Sequence, residues 1–142
     1  MTLTLRVKRL SPEARLPTKS YPDDAAFDLY ALDETLVTNG RTTPIRTGIV
    51  VEIPLGYCLV IRDRSGLATQ GVHTLAGVID AGFRGEVKVL LHSVCRYSVT
   101  KVRAGDRIAQ ALLLPVPECR VEEVQELRPS VRDAGGFGST GR

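Results

Sequence analysis

Three internal stretches and a terminal tail of this chain hold residues whose types and spacing can do chemistry. In Arg64-Ser65-Gly66-Leu67-Ala68, a forked cationic donor precedes a turn whose amides can point outward, an arrangement that attracts anions and phosphate above all. A capped turn beside an exposed arginine fits the same five residues. No Gly-x-Ser-x-Gly surrounds Ser65, which speaks against a hydrolase nucleophile there. Between Gly77 and Val87, Asp80 ends an apolar stretch, where a carboxylate can face a cleft and polarise water. An Asx-type turn suits it too. Phe83 sits at the following bend, where Gly82 and Gly85 let backbone approach a ligand closely. Gln110 is a polar residue in a largely apolar run from Ile108 to Leu114. A buried amide must find partners, whether backbone or ligand.

The tail from Arg132 to Gly141 is glycine-rich like a phosphate loop. It lacks the Gly-Lys-Ser/Thr ending and the strand-to-helix setting of a nucleoside triphosphatase P-loop. Phe137 has neighbours that cannot form a core. One arginine and one aromatic ring on a flexible arm can close over a nucleotide, the cation on phosphate and the ring on base; a disordered terminus is the plain alternative.

The elements that must position these residues read as strands. Period-two apolar patterns occur at Leu3, Leu5 and Val7, at Ile49, Val51 and Ile53, and at Val87, Val89 and Leu91. Turn signals recur between them, at Asn39-Gly40, Pro54-Leu55-Gly56, Arg84-Gly85 and Ala104-Gly105-Asp106. Pro54-Leu55-Gly56 predicts a reversal joining Thr47 to Ile53 with Tyr57 to Arg62. A short helix is predicted from near Ser65, whose hydroxyl can cap it, and it ends by Gly71. The 77–87 stretch reads as two strands around a tight bend, and Gly105 to Leu112 as a turn feeding a strand. Val121 to Leu127 is read as a last strand that Pro129 stops. The pattern predicts an all-β jelly roll.

Composition excludes several classes. The 142 residues make one domain that can bury roughly two thirds of its unfolded surface. Hydrophobic residues are 43% and charged residues 25%, with net charge +3, so the chain is predicted to fold. No apolar run approaches the ~18 residues of a membrane span, and 1–10 carries no continuous apolar core of a signal peptide; a soluble, cytoplasmic protein with no membrane partner is expected. Cys58, Cys95 and Cys119 are odd in number and far apart, which favours a reducing compartment and no zinc site. His73 and His92 form no metal-binding pattern. Basic residues, fifteen arginines and four lysines, are spread among acids, and there is no Trp. Direct nucleic-acid binding is not expected.

Taken in order, Ala25 to Ala31, Arg64 to Ala68, Gly77 to Val87, Gly105 to Gln110 and Arg132 to Gly141 resemble the five motifs of the trimeric dUTPases, and the match covers essentially the whole chain. The resemblance implies a jelly-roll, β-clip-like subunit over 1–131 and a flexible glycine-rich C-terminal arm over 132–142. It also implies a homotrimer that hydrolyses dUTP to dUMP and pyrophosphate with Mg²⁺ on the triphosphate, limiting uracil in DNA and supplying dUMP for thymidylate synthesis. Active sites of that family lie between subunits. The first, second and fourth motifs come from one chain, the third from another and the tail from the last.

Carried over by position, Asp80 activates the attacking water, while Arg64, Ser65, Gly66 and Gln110 meet the phosphates. Gly77 and Phe83 lie in the bend that reads uracil and packs on deoxyribose. Arg132, Phe137 and Gly138 belong to the closing arm, and Asp28 acts through water of the metal shell. Phe83 stands where the family usually has Tyr, Ala26 where Gly is usual, and Asp63 where Pro often precedes Arg-Ser-Gly; Ala134 varies freely. Deaminases of dCTP share the fold but carry a glutamate where this chain has Leu90, and an apolar side chain cannot shuttle protons.

Overall fold

Alternating apolar residues along the longest strands form the inner faces of two four-stranded sheets around one core. The computed structural model describes residues 2–95 and 98–141. Its elements are β1 (Arg6–Arg9), β2 (Phe27–Tyr30), β3 (Thr35–Val37), β4 (Thr42–Glu52), β5 (Tyr57–Arg62), α1 (Ser65–Ala68), β6 (Val72–Leu75), β7 (Val78–Ile79), β8 (Glu86–Ser93), β9 (Thr100–Val102) and β10 (Arg107–Pro115). The first sheet has strand order β1-β4-β8-β6 and the second β2-β10-β5-β7, while β3 and β9 form a separate pair. All pairings are antiparallel. This is the jelly-roll pattern that the short strands predict.

Strand β8 shows the logic. Val87, Val89, Leu91 and Ser93 are buried, whereas the residues between them face outward, as period-two geometry requires. Ile45 and Ile49 of β4 meet this face from one sheet and Leu59, Ile61 and Ala111 from the other, all within one buried cluster. Each large aliphatic side chain so buried contributes about 1.5–3 kcal/mol relative to exposure. Thr47, also buried, donates its hydroxyl to the Val87 carbonyl. Gly48 lets β4 bulge where its register shifts: its φ is +68°, and a Cβ there would lie 2.9 Å from the Ala14 Cβ.

The Pro54-Leu55-Gly56 reversal forms as predicted, with the Tyr57 amide donating to the Pro54 carbonyl at 3.2 Å. The 77–87 stretch forms the two strands and bend expected of it; β7 pairs with β5 and β8 with β4 and β6, so the bend carries the chain from one sheet to the other. Two local expectations need correction. The first strand starts at Arg6, so Leu3 and Leu5 precede it. Residues 121–127 form no strand and are exposed throughout. Val121, Val124 and Leu127 recur at intervals of three, which cannot line one face of a strand, and no strand lies beside them to satisfy their backbone. The tail over 132–141 consists of turns, with Phe137 fully exposed; Arg142 lies outside the described residues.

A candidate active site in two halves

The outer face of the second sheet supplies one half. Gln110 is opposite Asp28 on one side and Arg62 on the other, so the three side chains share a face and form a row across β2, β10 and β5. Ala109 and Ala111, on either side of Gln110, are buried in the core. The polar residue inside an apolar run is therefore the outward member of an alternating strand. Its amide Nε2 donates to the Asp63 carbonyl at 2.8 Å, which is the backbone-satisfying role. The amide oxygen makes no hydrogen bond among the described residues and faces a cleft of ≈ 320 Å³ shared with Asp28, Arg64 and Ser65.

Arg64 enters this cleft because β5 stops and the chain turns into α1. Arg64 is the N-cap, extended at φ −93° and ψ 133°, and its carbonyl accepts from the Leu67 and Ala68 amides. Ser65 is thus the first helical residue and its hydroxyl caps nothing, contrary to the predicted capping role. A one-turn helix has little macrodipole. The Ser65 and Gly66 amides accordingly have no backbone acceptor among the described residues, which leaves two donors and a guanidinium at one corner. Gly71 follows the helix at φ +76°, where the predicted end lies.

Asp28 sits between two cations. Arg64 Nε is 3.0 Å from Oδ1 and Arg107 Nη1 is 3.5 Å from Oδ2, and the aspartate side chain is only 13% exposed. Arg107 is a site residue that the sequence reading missed. It stands at the start of β10, opposite Tyr30, and only the register of the folded sheet brings it to Asp28. Ser20, Tyr21 and Asp24 also line the cleft without having been singled out. Among the described residues no cluster of His, Cys, Asp or Glu could enclose a metal ion.

Asp63, just before Arg64, holds this corner to the neighbouring sheet. One carboxylate oxygen accepts from the Thr74 amide at 2.7 Å and the Thr74 hydroxyl at 2.6 Å, and the other from His73 Nδ1 at 2.9 Å. Partial burial pushes the Asp63 carboxyl up, but the two Thr74 bonds and then His73 outweigh it and hold the group below the usual carboxylate range.

The other half lies at the opposite edge. Asp80, Gly77 and Phe83 line a separate cleft of ≈ 520 Å³ with Leu75, Val78 and Leu90 among its walls. Gly77, at φ +95°, follows Ala76 at φ 57°. These two left-handed residues swing the chain from β6 to β7, and the Gly77 carbonyl accepts from the Ile61 amide at 2.8 Å. A Cβ at Gly77 would lie 3.0 Å from that of Ile61, so both conformation and space require glycine. The Asp80 carbonyl closes a turn with the Phe83 amide at 3.1 Å, whereas its exposed carboxylate makes no hydrogen bond among the described residues. That is a backbone turn and not the Asx-type alternative. Arg84 fastens the bend by donating to the Ala81 and Phe83 carbonyls.

The two halves do not meet within one chain. Strands β10 and β5 lie between β2 and β7, and Asp80 follows Ile79, which is opposite Leu59, while Gln110 is opposite Arg62. Three spacings of about 4.8 Å across the sheet and four residues of about 3.3 Å along it put Asp28 roughly 20 Å from Asp80. Neither half includes Arg132, Phe137 or Gly138. Arg132 Nε instead donates to the Gly135 carbonyl at 2.8 Å.

Comparison with known proteins finds similarity along almost the whole chain. The deoxyuridine 5'-triphosphate nucleotidohydrolase of Thermobifida fusca (strain YX) is 41% identical over 143 residues, covering 99% of this chain and 80% of that one. Its counterpart in Nautilia profundicola is 41% identical over 145 residues, covering 99% and 100%. The solved dUTPase of Staphylococcus bacteriophage 80alpha, with dUPNHPP, superposes with a TM-score of 0.86 at 27% identity, covering 99% and 100%. A dUTPase of phage phi11 of S. aureus, described for its coordination of a structural Mg(II) ion, superposes with a TM-score of 0.82 at 23% identity over 89% of this chain and 99% of its own. The family model for dUTPase matches residues 12–141, and with such identity to its members along almost its entire length this chain belongs to the dUTPase family.

Proposed function

We propose that the chain hydrolyses dUTP to dUMP and pyrophosphate, in sites each assembled from more than one copy of it. One observation carries the reading: the cation-rich cleft and the free carboxylate of Asp80 are separate, complementary halves on opposite edges of one sheet. A homotrimer joins the Asp28, Arg64 and Gln110 half of one protomer to the Asp80 and Phe83 half of the next. Exposed apolar residues on this sheet, Val78 at 68% and Leu114 at 40%, give such an assembly surface to bury.

In the joined site Asp80 accepts the proton of the attacking water, a role its unengaged carboxylate suits. Arg64, the Ser65 and Gly66 amides and the Gln110 amide group hold the triphosphate and stabilise charge as it moves onto the leaving pyrophosphate. Gly77 and the bend that follows offer backbone groups to uracil, and Phe83 packs on deoxyribose. A ribose hydroxyl would find neither room nor partner there. Phe83 provides the apolar ring without the hydroxyl that Tyr would add. Residues 132–142 act as an arm closing over the nucleotide from a body made of 1–131, with Arg132 on the outer phosphates and Phe137 and Gly138 over the base.

The donor set fits Mg²⁺. Asp28 is a hard carboxylate that shares its cleft with Asp24, and Mg²⁺ needs no preformed cage because it keeps most of its waters and binds chiefly through substrate phosphates. Asp28 would face that water shell, and the ion would draw charge from the phosphate oxygens. Arg64 and Arg107 keep the aspartate oriented toward the cleft. No helix among the described residues is long and apolar enough to cross a membrane, in keeping with action on a free nucleotide in the cytoplasm.

Pyrophosphate release from dUTP, dTTP and UTP, with and without Mg²⁺, tests the reading. Turnover of dUTP alone and only with Mg²⁺ is expected; absence of turnover on all three would leave a nucleotide-binding module instead. Ammonia released from dCTP would assign the chain to the deaminases, against which Leu90 argues.

A further inference from the structure

The sequence departs from its family just where the phosphate corner begins, because Asp63 stands in the place where Pro often precedes Arg-Ser-Gly. A proline there would stiffen the turn through its fixed φ. Aspartate has no such restriction, yet Asp63 is fastened at both ends. Its carbonyl accepts from Gln110 Nε2 of β10, in the second sheet. Its carboxylate takes three donors from β6, in the first sheet: the Thr74 amide, the Thr74 hydroxyl and His73 Nδ1. The peptide leading into Arg64 is therefore pinned to both sheets at once. Among the described residues, Arg64 and Ser65 follow with no other side-chain anchor than the Arg64 to Asp28 pair.

We propose that Asp63 is a positioning residue for the triphosphate, a side-chain strut between the sheets that fixes Arg64 and the Ser65 and Gly66 amides. The strut never touches the nucleotide. It acts through the direction in which the chain leaves β5, and small displacements of phosphate-holding groups are costly to binding. Thr74 is the main anchor because it supplies two of the three bonds, and β6 is held in turn by β8. The inference rests on the assignment of Arg64 and Ser65 to the triphosphate.

Steady-state hydrolysis of dUTP by the full-length protein tests it. Asp63→Ala is expected to raise KM about tenfold with a smaller fall in kcat, because a displaced Arg64 still offsets part of the charge on the leaving pyrophosphate. Asp63→Asn, whose amide oxygen can accept both Thr74 donors, is expected to stay within about twofold of the parent KM. Asp63→Pro is expected to recover most of the loss seen with alanine, by stiffening the same turn through its ring. A purely stabilising role would not produce this split or this rescue. Should Asp63→Ala fail to fold, Thr74→Val decides, with an expected KM rise of about threefold. Unchanged KM in Asp63→Ala, or in Thr74→Val when alanine does not fold, overturns the strut. So does a proline variant no better than alanine. Arg64→Ala separates the two levels: if it raises KM while Asp63→Ala does not, only the strut is refuted. If Arg64→Ala also leaves KM unchanged, the phosphate assignment fails and the strut falls with it.

Discussion

Mixing two crippled variants gives the sharpest check on a site divided between chains. Asp80→Asn removes the base from the uracil-side half, and Arg64→Ala removes the guanidinium from the phosphate half. Each variant alone is expected to lose about two orders of magnitude of turnover or more. Asp28 and Asp80 lie roughly 20 Å apart in one chain, and on the proposed arrangement one site draws these halves from different protomers. In trimers formed at random from equal amounts, a site works when its base comes from an Arg64→Ala chain and its guanidinium from an Asp80→Asn chain. Each condition holds for half the chains, so the mixture should recover about one quarter of the unmutated rate. The variants are denatured together, refolded and assayed for pyrophosphate release, beside a control mixed only after separate folding. Recovery near one quarter in the first sample and not in the second supports the divided site. No recovery above the parents, although mixed trimers are present by mass, would refute the reasoning, because a site contained in one chain gains nothing from its neighbours.

Other expectations follow from single features. Truncation after Val131 should leave secondary structure and oligomeric mass unchanged while abolishing most turnover, as circular dichroism, light scattering and the same assay would show. Gly77→Ala should destabilise the fold by about 1–3 kcal/mol in urea unfolding, because the position is left-handed and the new methyl meets Ile61. Asp63 is held below its usual range when folded, so its contribution to stability is complete above about pH 4 and declines as pH falls through the folded value. Melting curves of Asp63→Asn should therefore fall less steeply than those of the parent as pH is lowered below about 4.

How far these features can be read from sequence depends on their range along the chain. The Pro54-Leu55-Gly56 reversal and the alternation of β8 are local, set by φ preferences and a two-residue period, and they form as expected. Gln110 could be flagged from its own neighbours, whereas Asp28 enters only through the resemblance. That they face each other on β10 and β2 is a matter of register, which depends on residues eighty positions apart. Arg107 escaped notice for this reason: nothing near it announces Asp28 as its partner. The Asp63 strut was equally hidden, since only the fold brings Thr74 and His73 to that carboxylate. Ser65 was misassigned as a cap by one position, because the N-cap is defined by backbone angles and Arg64 adopts the extended ones. The failed strand at 121–127 shows the opposite error: β-branched residues suggested a strand, but a strand needs a neighbour to take its hydrogen bonds, and composition cannot supply one.

The exposed stretch from Val116 to Val131 is a leash of sixteen residues between the last strand and Arg132. At most about 3.5 Å per residue, it reaches roughly 55 Å, farther than the span of the two half-sites on one protomer. A group on such a leash meets its target at an effective concentration in the millimolar range, whatever the dilution of the protein. On the proposed role of the arm, capture of the nucleotide by Phe137 is then a first-order event whose speed does not depend on how much enzyme is present. Shortening the leash, with every residue of the glycine-rich end retained, would remove capture abruptly at the length where it no longer spans the gap, and lengthening it would weaken capture only gradually.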